Sequence, residues 1–117
     1  MGYMRHHAIL VTSGIERHIR RAFERAEMTF PLGSVLGPVE SSINNYWTFV
    51  VTPDGSKEGW SESETGDEAR DAFIAWLRSE AYEDGSSPFS WAEVQYGDDD
   101  DENIVTRHDA DATHSKT

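Results

Sequence analysis

The chain has no cysteine, which excludes a disulfide framework, a thiolate nucleophile and any cysteine-held zinc or iron–sulfur site. It is also short of positive charge. Ten Lys and Arg stand against 22 Asp and Glu in 117 residues, for a net charge of −12. Affinity for a phosphate backbone comes mainly from cationic neutralisation, so direct nucleic-acid binding is not expected. Long apolar runs are missing as well. The stretch between His7 and Thr12 is too short for a signal-peptide core or a membrane span, and His6 stands where a myristoylation motif needs Ser or Thr. Neither a Ser/His/Asp constellation nor a Gly-rich phosphate loop with its lysine occurs, and Asp54, Glu58, Glu62 and Glu64 lack EF-hand spacing. These absences lead to the expectation of a cytoplasmic protein off the membrane, with no cofactor and no metal.

What is there suits one α+β domain. Arg5 to Thr12 (RHHAILVT) is β-branched and ends at Ser-Gly, which predicts a strand, β1. Ser13 and Glu16 have the spacing of a capping box, and Ile15, Ile19, Ala22, Phe23 and Ala26 follow at helical intervals, predicting α1 up to Pro31. Ser34 to Ser42 contains Pro38, which a sheet tolerates only at an edge or a bulge, so β2 is expected there as an edge strand. Asn44-Asn45 suits a tight turn into Tyr46 to Thr52 (YWTFVVT), β3. After Pro53-Asp54-Gly55 and a loop running to about Glu64, a second capping box, Thr65 and Glu68, opens α2, whose apolar positions are Ala69, Ala72, Phe73, Trp76 and Leu77. Pro88 to Tyr96 alternates as β4.

This order is βαββαβ, predicting a ferredoxin-like, split-βαβ fold. Its four-stranded sheet has β1 and β3 central, β2 and β4 at the edges, and both helices on one face. Residues 1–97 form the expected domain and 98–117 an acidic flexible tail. The run Asp98 to Glu102 repels itself and buries nothing, so removing the chain after Gly97 should leave the domain folded. Ile104-Val105 is the tail's only apolar pair; the alternative to disorder is that it docks on the sheet edge.

Three groups of residues could carry function. Arg17, Arg21 and Arg25, spaced i, i+4, i+8, make one stripe on α1, either an anchor for phosphate or carboxylate groups or a solvated face paired with acids such as Glu24. Strand alternation, with Ala92 and Val94 taken as inward, places His6, Tyr46, Thr48, Trp91, Glu93 and Gln95 together on the uncovered sheet face; the reverse assignment of β1 is open. That face could be a ligand groove with Tyr46 and Trp91 as stacking platforms and His6 with Glu93 as an acid/base pair, a partner or homodimer interface, or an ordinary polar surface. Trp60, in the loop after β3, is either a hot-spot aromatic or a plug at the end of the core.

The segments HHAILVTS, PDGSKEGWSES and YEDGSSPFSWAEVQYGDDDDE resemble a group of small acidic bacteriophage proteins, a likeness running from His6 to Glu102. It implies a non-structural accessory protein acting in the host cytoplasm, blocking a host or defence component by binding a protein or sequestering a nucleotide signal. The leading expectation is therefore a non-enzymatic interaction protein that engages a partner with a basic surface. A nucleotide-like small-molecule module and a small His6/Glu93 enzyme are the alternatives.

Overall fold

The computed structural model describes residues 5–55, 61–84, 86–97 and 103–109. The elements run β1 (Arg5–Ser13), α1 (Glu16–Thr29), β2 (Val35–Glu40), β3 (Trp47–Val51), α2 (Ser61–Ser79), β4 (Ser90–Gly97) and β5 (Ile104–His108). The strands form one sheet of five in the order β2-β3-β1-β4-β5. Every pairing in it is antiparallel.

The expected sheet of four is thus one strand short, because β5 lies in the segment read as a disordered tail. Its sequence, IVTRH, is β-branched at three successive positions, and it pairs with β4 from Ala92↔His108 to Gln95↔Ile104. β4 is therefore not an edge. The sheet crosses the domain boundary expected at Gly97. Residues 98–102 and 110–117 lie outside the described residues.

Both helices cover one face. Ile9 and Val11 of β1 stand opposite Val51 and Phe49 of β3, and directly opposed residues in an antiparallel pair point the same way. These four form a single core with Ile19, Ala22 and Ala26 of α1 and Phe73, Ile74 and Leu77 of α2. The alanines let α1 lie close to the sheet, while aromatic rings fill the wider spaces. Phe23 meets Phe49 edge-on at 5.5 Å between centroids, and Phe30 meets Phe73 at 5.6 Å. Each buried ring contributes roughly 1.5–3 kcal/mol through the area it removes from water.

Helix starts differ from the capping boxes in the sequence. The residue preceding α1 is Ile15, which makes no side-chain cap, and the Ser13 hydroxyl accepts from the Ile15 N–H at 3.2 Å instead. Ser13 is held as the last residue of β1, so it cannot also cap the helix. α2 begins a turn earlier than expected, and Thr65 Oγ1 donates to the Ser61 carbonyl within it. At the β2 edge the register shifts between Leu36 and Val39. Gly37 makes this irregularity fit. Its φ is +118°, and a Cβ there would sit 2.9 Å from the Thr48 carbonyl oxygen. Asn44 and Asn45 take positive φ in the turn before β3, as their side chains allow.

Candidate functional site

The face of the sheet turned away from the helices is apolar. Leu10, in the middle strand, stands opposite Val50 on one side and Ala92 on the other, and Val50 stands opposite Leu36. A parallel row joins Ala8, Val94 and Val105. Leu10 is 40% exposed, Leu36 58%, Val39 67% and Val105 54%. Among the described strand residues on this face there is no Asp, Glu, Lys or Arg; its polar members are Thr12 and Thr48, bonded to each other at 2.8 Å, Ser90, His108, and His6 and Tyr96, whose rings lie 5.2 Å apart. An uncharged face is notable in a chain that is 27% charged.

Of the residues expected to meet on this face, His6 and Thr48 are on it, and Tyr46, half exposed just before β3, lies against Gly14. Trp91, Glu93 and Gln95 are not. They stand opposite Val11, Ile9 and His7 and so point to the helix side. The alternation expected in β4 is present, but its phase is reversed. Trp91 is driven into the core by its apolar area, and the small Ala92 is left outside. His6 and Glu93 occupy opposite faces and cannot act as a pair.

Glu93 is 2% exposed and is held by two guanidinium groups. Arg70 Nε donates to Oε2 at 3.0 Å. Arg107 grips both oxygens, Nε to Oε1 at 2.8 Å and Nη2 to Oε2 at 2.9 Å. The Thr106 hydroxyl lies 2.8 Å from Oε1. The outer nitrogens of the two arginines reach Asp67 and Asp71 on α2. The cluster therefore ties β5 and α2 to β4. Burial pushes the Glu93 carboxyl up, but hydrogen bonds from Arg107 and Thr106 and the charges of Arg107 and Arg70 outweigh it and hold the group below the usual Glu range. Both carboxylate oxygens are matched by donors, and the cluster binds the three elements together.

The α1 stripe is engaged rather than waiting. Arg21 pairs with Glu80, and the guanidinium groups of Arg21 and Arg25 each lie 5.8 Å from the centroid of Trp76. Arg17 is exposed on the same helix. Trp91 is covered by Arg78 at 5.5 Å. These cation–π contacts stabilise the helix layer. Trp60 lies outside the described residues.

A cavity of about 670 Å³ opens where the end of α1, the end of β3 and the start of α2 meet, between Phe30, Val51, Thr65 and Ala69. The cation on its wall, Arg70, is already bound to Glu93 and Asp67, and the wall adds the acids Asp54 and Glu62. Among the described residues, anionic phosphates find no free countercharge there. None of the described candidate binding residues, His6, Arg17, Arg21, Arg25, Tyr46, Thr48, Trp91, Glu93 and Gln95, lines it.

Among the described residues no three metal-ligating side chains gather, and no helix is long and apolar enough to cross a membrane. The feature missed from sequence is the apolar face itself. Its signal was present in Leu10, Val50 and Val94, the alternate members of strands whose other members fill the core. No family model, no curated protein and no solved structure matches the chain.

Proposed function

We propose that this chain is a protein-binding module that docks its partner on the uncovered face of the sheet. The observation that carries this reading is the contiguous apolar surface around Leu10 and Val50, free of charged strand residues. An exposed apolar patch of this kind on a soluble domain marks an interaction surface, and depletion of charge is the compositional sign of an interface centre. The strand order β2-β3-β1-β4, all antiparallel, supports a ferredoxin-like scaffold extended by β5. Its likeness to small acidic phage proteins supports an accessory role in a bacterial host, and the charge of −12 steers encounters with basic surfaces.

The test uses a tagged chain in bacterial lysate together with an untagged copy. Bait carrying Leu10→Glu or Val50→Lys should lose the protein that the unaltered bait retains. A charge reversal on the helix layer, Glu27→Lys, should not. Identical retention by all three baits would overturn the reading.

A further inference from the structure

We infer that the partner seated on the open sheet face is a second copy of this chain. The inference rests on the docking reading above and names its occupant.

Three properties of the face favour a copy. The first is electrostatic. Two chains of −12 repel at long range, yet the strand residues that would touch are uncharged, so contact itself brings no like charges together. A basic surface steered to the chain by its overall charge finds no carboxylate among the described strand residues of this face to pair with. The second is symmetry. The middle strand of the sheet is β1, with Leu10 near its midpoint. A two-fold axis lying between two apposed faces and passing through their centres sets β1 against its copy and Leu10 beside Leu10. Such an isologous contact closes at two copies. One axis of this kind, parallel to the strands, also brings Leu36 of one copy over His108 of the other, since both lie in the row of Leu10.

The third property is size. Strands about 4.8 Å apart, each paired over about five residues at roughly 3.4 Å per residue with every second side chain on the shared face, span on the order of 24 by 17 Å across the five strands. That is about 400 Å² of flat area per copy, or about 800 Å² for the pair, to which side-chain relief adds. The sum falls at the low end of specific interfaces, below the ~1,200 Å² at which stable ones begin. The pair is therefore expected as a weak, reversible contact rather than as a permanent dimer. The two sheets would lie ~10 Å apart with interdigitated side chains, as in an aligned sandwich.

Sedimentation of the full chain tests this. Between about 1 and 200 µM, a span chosen for a weak, reversible contact, the mass should rise from 13.2 kDa towards twice that value. The association should tighten in 0.5 M salt, which screens the repulsion; binding to a basic partner would loosen. Leu10→Glu and Val50→Lys should both stay monomeric while melting cooperatively. If either substitution fails to fold, Leu10→Cys supplies the chain's single thiol. A short bis-maleimide should then join two copies through it, whereas Glu27→Cys on α1 should give no cross-linked pair. A mass fixed at 13.2 kDa at every concentration and both salts overturns the second copy. So does a dimer indifferent to the face substitutions. In the first case the lysate experiment separates the two ideas: retention still lost with Leu10→Glu keeps the docking face and removes only the copy, and unchanged retention removes both.

Discussion

On the helix-covered side of the sheet a carboxylate lies buried between Arg70 and Arg107, while on the side open to water Leu10, Val50 and Val105 stand without a charged strand residue among those described. Hydrophobicity alone would assign these groups the other way round. The buried charge is tolerated because each oxygen of Glu93 is matched by charge-assisted hydrogen bonds. The exposed apolar side chains have no such compensation among the described residues. One side of the sheet is complete and the other is not, and alternation along a strand reports only which residues share a side.

The contrast can be broken most sharply at Glu93. Glu93→Ala leaves two partly or wholly buried guanidinium groups facing each other, and the loss should be about 3–5 kcal/mol, read by urea unfolding. A loss below about 1 kcal/mol would mean that the cluster is solvated. Ending the chain after Gly97 removes Arg107, Thr106 and the pairing of β5 with β4. It leaves Arg70 as the partner of Glu93 and should cost about 2–4 kcal/mol, more than about 10 °C in the melting midpoint of a domain this size. This reverses what the acidic composition of that segment suggests.

A smaller effect follows from acid. The Glu93 carboxyl has a lower pKa folded than unfolded, so its contribution is complete above the ordinary Glu value of about 4.3 and is lost as pH falls through the lower folded value. Thermal midpoints should drop over that window. In Glu93→Gln they should drop less, from a lower starting point; parallel curves would show that the group does not titrate with folding. The open face should give the smallest change. Leu10→Ser removes an already accessible side chain and should alter the unfolding free energy of the monomer by about 0.5 kcal/mol or less, whereas Phe49→Ala, fully buried across the sheet, should cost about 3–5 kcal/mol. Similar losses for both would mean that the outer side is as tightly packed as the inner one.

Much of the architecture was legible in local sequence. The intervals of Ile19, Ala22 and Ala26 and of Phe73 and Leu77 locate two helices, and the turn at Asn44-Asn45 separates β2 from β3. β5 was hidden because five acids precede it and dominate any short window around Ile104-Val105. What holds it is a contact with Glu93 and another with Asp71, 14 and 36 residues away from Arg107. Local composition carries no trace of such a contact. The candidate site failed at its neighbour, β4. β4 offers two faces, one with Trp91 and Glu93 and one with Ala92 and Val94, and the carboxylate argued for the outside. Only the distant arginines overrule it.

An apolar sheet face, given clean hydrogen-bonding borders, is the make-up of a fibre: copies stack through their faces and zip through their rims without end. Here the rim at β2 carries Pro38, which has no N–H to offer, and a break in register beside it; the β4/β5 ladder breaks register too, between Glu93 and Val94. Growth along the rim is thereby denied a regular template. Concentrated solutions should remain clear and free of thioflavin-positive fibrils.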